Sequence, residues 1–256
     1  MEKEKLIQGE ANKFVRLDFE LLYQDSIGYV ELYDASHANE SEAQRVWTVT
    51  QICSLAYGNE EAKNPEALYE RMKSIKHESL WEFIRDTYPL NNIENSMRNS
   101  PFDYENRYSN EQNIKEHKEN IACFRIKVPM FVRAQFMRHR AFSYLEMSRR
   151  YTKGSKVKFE FWFPEDYPKD SKSLYTEAWQ GDYDTMCKKY ETQVSARFMP
   201  QTTYTEFYVM GSTEGLKNFF GLRCDSHAQK EIQSLAFAML KLLSIHQPEL
   251  HKKVMP

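Results

Sequence analysis

Ala122-Cys123-Phe124-Arg125-Ile126-Lys127-Val128-Pro129 alternates apolar and polar side chains with a period of two. That is the pattern of a strand with one buried face. Pro129 then suits the first turn of a helix, where a missing N–H costs nothing. The stretch therefore predicts a strand that runs directly into a helix. On that helix Gln135 and Arg138 lie three apart and share a face.

The next residues are dense in charge of one sign. Between Val132 and Tyr151 stand Arg133, Arg138, Arg140, Arg149 and Arg150, with His139, Ser143, Ser148 and a single acid, Glu146. A solvated helix normally intersperses acids among its cations at i,i+4 spacing. Here another group must neutralise them. Phosphate is the natural candidate, because a guanidinium fork can bind two of its oxygens and stays charged at any relevant pH. Ser143-Tyr144-Leu145-Glu146 has the S-x-x-E form of a capping box. It predicts that one helix ends near Arg140 and another opens at Ser143. That helix start would present N–H groups beside Ser148, Arg149 and Arg150 to an anion. The bland alternatives are a solvated basic helix and a plain cap.

Working outward, Gly28 to Tyr33 alternates like a short strand, while residues 1–27 show no pattern. Ser41-Glu-Ala-Gln44 fits a capping box and opens a helix stopped at Gly58-Asn59. A second helix starts at Asn64-Pro65, with Leu68, Met72 and Ile75 on one face. Residues 84–120 are polar, with eight asparagines, and read as a long insertion or flap. Val157 to Phe163 predicts a strand closed by Pro164, residues 172–198 a long helix, and Thr202 to Met210 another strand. Leu216, Phe219 and Phe220 mark a short helix ending near Arg223. Ser226-His-Ala-Gln229 fits a further capping box before a helix carrying Ile232, Leu235, Ala236, Met239, Leu242 and Leu243, which stops before Pro248. The order is mixed α+β, with a mixed or antiparallel sheet flanked by helices and too few βαβ units for a doubly wound sheet. No Gly/Ser- or Pro-rich linker divides the chain, so a single domain over 1–256 is expected.

The totals bound the function. The chain has 256 residues and a net charge of -2, so an anion site must come from local clustering, which argues against a histone-like or sliding nucleic-acid binder. The N-terminal residues have no apolar core of a signal peptide and no stretch approaches a membrane span, which predicts a cytoplasmic protein. Cys53, Cys123, Cys187 and Cys224 stand far apart, with neither a disulfide framework nor a zinc ribbon suggested. His77 and Glu82 have no third ligand at a convincing spacing, so no metal is expected. Around Cys224, Arg223-Cys-Asp225-Ser-His227 resembles a nucleophile cluster but is equally a helix start capped by Asp225 or Ser226. No G-x-G-x-x-G or G-x-x-x-x-G-K-[ST] is present. Any nucleotide must be held by arginines and helix starts.

Arg138-His139-Arg140, seven residues, Ser148, one residue, then Arg150-Tyr151 is similar to the R-H-R-x7-S-x-R-Y signature of the flavin-dependent thymidylate synthases. His77-Glu78-Ser79-Leu80-Trp81-Glu82, the segment Lys127 to Gln135, and Asn218 to Gln233 resemble further blocks of that family. The resemblance spans most of residues 28–245. It implies a homotetramer with active sites shared between subunits. Its reaction makes dTMP from dUMP, with carbon from 5,10-methylenetetrahydrofolate and reducing equivalents from NADPH through FAD. By resemblance, His77, Ser79, Arg138, His139, Arg140, Glu146 and Asn218 hold FAD. Gln135, Arg138, Glu146, Ser148, Arg149, Arg150 and Arg197 hold dUMP. Arg223 lies against the uracil and favours its ionisation at N3, as the catalytic group. Ser148 reads as a ligand, since no base is positioned to activate it.

The chain also departs from the family. Leu145 stands where Asn is frequent, Ser212-Thr213-Glu214 replaces N-x-R, and Arg197 lies three rather than four residues before a proline. These motivate a rival reading with another pyrimidine substrate such as UMP, or a hydroxymethylating variant. A single-stranded nucleic-acid module stacking bases on Tyr144 and Tyr151, and a non-catalytic relative, are the remaining alternatives.

Overall fold

The computed structural model describes residues 16–34, 42–59, 62–75, 80, 83, 121–149 and 159–256. The 84–120 insertion, Ser41, His77, Ser79 and Arg150 lie outside them. Element order is β1 (Arg16–Leu21), β2 (Tyr29–Tyr33), α1 (Glu42–Ala56), α2 (Pro65–Ser74), β3 (Ile121–Pro129), α3 (Met130–Phe136), β4 (Phe142–Glu146), α4 (Lys169–Lys189), α5 (Thr192–Ser195), β5 (Tyr204–Ser212), α6 (Thr213–Arg223), α7 (Lys230–His246) and α8 (Pro248–Val254). The strands form one five-stranded sheet in the order β1-β2-β3-β5-β4. Every pairing is antiparallel. The α+β class is as the sequence implied.

Alternation along β3 decides the two faces. Phe124, Ile126 and Val128 project to one side, where Val30, Leu32, Phe207 and Val209 join them beneath α3, α6, α7 and α8. Cys123 projects to the other side, with Tyr33, Leu145, Tyr208 and Met210 beneath α1 and α2. A third cluster, Phe159, Phe161 and Tyr183, packs α4 against the chain that precedes it. Polar residues on the second face are held in a network. Arg125 lies between Glu31 and Glu206, ion-paired to both, and Tyr29 donates to Glu206 at 2.5 Å.

Asn64 caps α2 as its sequence position suggests, its side chain accepting from the Ala67 N–H at 3.1 Å. Several expectations are corrected. Ser143-Tyr144-Leu145-Glu146 is the strand β4, paired with Phe207–Gly211 of β5. Ser143 and Leu145 are buried on one side and Phe142 on the other, so burial on both faces overrides the capping pattern. α3 ends at Phe136 with Met137 as its C-cap, which places Arg138 beyond the helix face that Gln135 occupies. Residues 172–198 are not one helix: α4 ends where Tyr190 turns extended, and α5 and a 3-10 turn at Ala196–Phe198 follow. Among the described residues of the expected 157–163 strand, the pairing is a single bridge, Phe161 to Thr203. α7 starts at Lys230 rather than at a Ser226 cap. Asp225 instead accepts the His227 N–H at 2.8 Å in the preceding turn. β1 and α8 are additions to the expected elements. Leu17-Asp18-Phe19-Glu20-Leu21 does alternate, and Pro248 opens α8 rather than ending all structure.

Candidate active site

Gln135, Arg138, His139, Arg140 and Arg223 gather where the C-terminal ends of α3 and α6 meet the start of β4 and of α7. Arg223 is in the last turn of α6, where the carbonyl end of the helix dipole favours a cation. Its Nε donates to His139 Nε2 at 3.0 Å and its Nη2 to the Gln135 carbonyl at 3.3 Å. The Gln135 side chain in turn donates to Gln229 at the start of α7. α3 and the turn that follows it therefore fix the guanidinium that α6 carries.

His139 is buried, with 6% of its surface exposed. Its ring meets Phe219 edge-on at 5.0 Å and lies near Phe136 and Phe142. Burial, and secondarily the Arg223 charge, push its pKa down to about 4. The imidazole is neutral at physiological pH. Because guanidinium can only donate, His139 Nε2 must be the lone-pair nitrogen. Tyr144 anchors the same turn by donating to the His139 carbonyl at 2.8 Å.

Arg138 and Arg140 are exposed on either side of His139. Arg138 is close enough that its charge, after burial, lowers the Arg223 pKa. Among the described residues no carboxylate pairs with Arg138, Arg140 or Arg223. Glu146 is already engaged: Arg133 donates to one oxygen from Nε at 3.0 Å and also from Nη2, and Thr205 donates to the other at 2.8 Å. Arg133 was not singled out as a site residue. Its carboxylate partner lies thirteen residues on and across a strand, a pairing no sequence spacing reveals.

The remaining residues are more scattered. The Arg149 guanidinium donates to the Tyr204 carbonyl at 3.0 Å and lies 5.2 Å over Phe159. The N–H of Met147 donates to the Glu206 carbonyl and that of Ser148 to the Ala56 carbonyl. Among the described residues no helix start is offered to an anion there. Asn218 is exposed on α6, and Arg197 is exposed on the 3-10 turn after α5. Leu145 is buried in the second core, on the face of β4 opposite Glu146, so its replacement bears on packing. Glu214 occupies the first turn of α6 behind the Ser212 cap, a favourable place for an acid. A cavity of about 420 Å³ opens between residues 21–25, Trp162–Glu165 and the start of α7, and none of the expected site residues lines it. No helix among the described residues is long and apolar enough to cross a membrane.

Fold and site together define an α+β protein with a guanidinium cluster at the junction of β4, α3 and α6. The chain belongs to the family described as thymidylate synthase complementing protein, whose model matches residues 107–249. A flavin-dependent thymidylate synthase of Thermotoga neapolitana is 34% identical over 134 residues, covering 48% of this chain and 61% of the relative. One from Thermosipho melanesiensis is 30% identical over 158 residues, covering 50% and 68%. One from Saccharolobus solfataricus is 34% identical over 126 residues, covering 48% of each. The chain thus matches about three fifths of the length of the Thermotoga relative.

Proposed function

We propose that the protein carries out the reductive methylation of dUMP to dTMP, with 5,10-methylenetetrahydrofolate as carbon donor and NADPH-reduced FAD as hydride source. One observation carries the reading: Arg223 is fixed by a neutral acceptor and a carbonyl, beside Arg138, in a cluster where no acid among the described residues neutralises it. The donor set suits anionic nucleotides. Arg138 and Arg140 are exposed guanidinium groups, and Gln135 and Asn218 add amide donors and acceptors nearby. Arg138, Arg140, Glu146 and Asn218, with His77 and Ser79, would hold FAD. Gln135, Ser148, Arg150 and Arg197 would contribute to dUMP.

When bound, reduced flavin supplies the hydride. The protein's part is to bind, orient and polarise. Arg223 places positive charge where the pyrimidine gathers negative charge, an effect that strengthens as water is excluded. Glu146 is held in place by the donors of Arg133 and Thr205, and can orient a donor of either ligand. The proposed reaction calls on no thiol, and burial raises that of Cys224, the neighbour of Arg223. Cys53 and Cys123 are buried, and burial raises both thiols, that of Cys53 to about 11. The reading also takes the chain as one domain that assembles into a homotetramer.

The test is product analysis of purified protein supplied with FAD, NADPH, 5,10-methylenetetrahydrofolate and either dUMP or UMP. Formation of dTMP supports the reading. Methylation of UMP alone would move the specificity to ribonucleotides, and absence of any product with no retained flavin would overturn it.

A further inference from the structure

The imidazole of His139 does more here than line a site. It sits behind Arg223, its ring packed between Phe219, Phe136 and Phe142 and its Nε2 in line with the Arg223 Nε–H. A guanidinium has five N–H groups. Among the described residues, Arg223 commits one at Nε to His139 and one at Nη2 to Gln135. Both Nη1 protons and the second Nη2 proton remain for a ligand.

We propose that His139 is a positioning residue for Arg223, its neutral ring accepting the Nε–H and so aiming the Nη groups outward. This rests on the proposed function only in saying what the outward edge meets. The structural basis is independent of that reading. Without an acceptor at this place, the side chain of Arg223 is free to rotate about its Cγ–Cδ bond, with Arg138 repelling it from one side. The edge that carries Nε2 faces Arg223, and the ring lies among aromatic side chains, so any polar contact with a flavin would fall to Nδ1.

The first measurement is made on the unaltered protein. Nitrogen NMR of the histidine side chains should find His139 neutral, with the proton on Nδ1 and the lone pair on Nε2, and a slowly exchanging Arg223 Nε–H. The opposite tautomer overturns the proposal whether or not any dTMP is formed, and so separates its failure from failure of the functional reading. Two variants then test the consequence. His139→Phe keeps an aromatic ring and removes the acceptor; His139→Gln removes the ring and supplies a carbonyl oxygen. A hydrogen bond to a charged group predicts a loss of about 10- to 100-fold in kcat/KM for dUMP in the first, with the flavin absorption band retained. Gln should restore activity to within about fivefold. Equal impairment of the two variants, or activity in His139→Phe within twofold of the original, overturns the assignment. Loss of the flavin band in both would return His139 to the flavin.

Discussion

His139 gives a stability test whose sign and size follow from its surroundings. Burial among Phe136, Phe142 and Phe219 and the facing Arg223 hold its pKa at about 4, against about 6.5 in an unfolded chain. As pH falls from 6.5, the unfolded chain takes up a proton that the folded chain refuses until pH approaches 4. Stability is therefore complete above 6.5 and is drained across the window down to 4. Measured from pH 7.5, the loss works out at about 1 kcal/mol at pH 5.5 and about 2–3 kcal/mol at pH 4.5. Other groups titrate over the same range, so the comparison is with His139→Phe, which cannot take up the proton. The variant is expected to be less stable at pH 7.5, having lost an acceptor for Arg223. Its deficit should then shrink by those amounts as the pH is lowered. Urea unfolding followed by circular dichroism at four pH values, at one protein concentration, gives both curves. Parallel curves would refute the reasoning: either the ring is protonated in the fold, or it is not buried against the guanidinium.

Three other outcomes are expected. Arg125→Met leaves Glu206, 7% exposed, without its guanidinium partner, while Glu31 keeps Arg16 at 2.8 Å; a loss of about 3 kcal/mol in urea unfolding is expected, and less than about 1 kcal/mol would show the network to be solvated. Gly211→Ala places a Cβ 2.3 Å from the Phe142 ring, whose displacement would cost about 1–3 kcal/mol; an unchanged melting temperature would mean that the ring moves freely. Arg133→Ala strips Glu146 of its guanidinium donors and should weaken dUMP about tenfold by calorimetry, with unchanged affinity removing Glu146 from the site.

Most of the scaffold was legible because its cores obey simple periods. β3 and β2 alternate, and α7 carries Ile232, Leu235, Met239, Leu242 and Leu243 at helical spacing, all fully buried. The misreading at Ser143–Glu146 has a definite physical source. S-x-x-E states only that a cap could form. Phe142 and Tyr144 on one side and Leu145 on the other supply two buried faces, which a strand between two helical layers satisfies and a helix start does not. The same error created an anion site from N–H groups that β5 and α1 already use. At the site, the density of arginines was informative but not specific. Arg133 serves Glu146, and Arg149 serves the Tyr204 carbonyl and Phe159. Neither pairing leaves a trace in local spacing, since the partners arrive from across the sheet. The Arg223–His139 contact spans 84 positions and was reached only as two separate roles.

The choice of histidine beside Arg223 has a physical logic that an acid could not satisfy. Asp or Glu at position 139 would accept the Nε–H more strongly, but would also cancel the charge of Arg223 and fill the site with a counter-ion. A hydroxyl could rotate and would aim nothing. A neutral imidazole is a rigid acceptor with no charge: it sets the direction of the guanidinium and leaves it a full cation. That arrangement is costly without a ligand, because Arg138 stands close and burial already disfavours the Arg223 charge. The carbonyls at the end of α6 and that of Gln135 offset part of the repulsion. What remains is a field that an arriving anion would relieve. Such a preorganised cation is suited to charge that develops on a bound ring, and it depends on His139 remaining unprotonated.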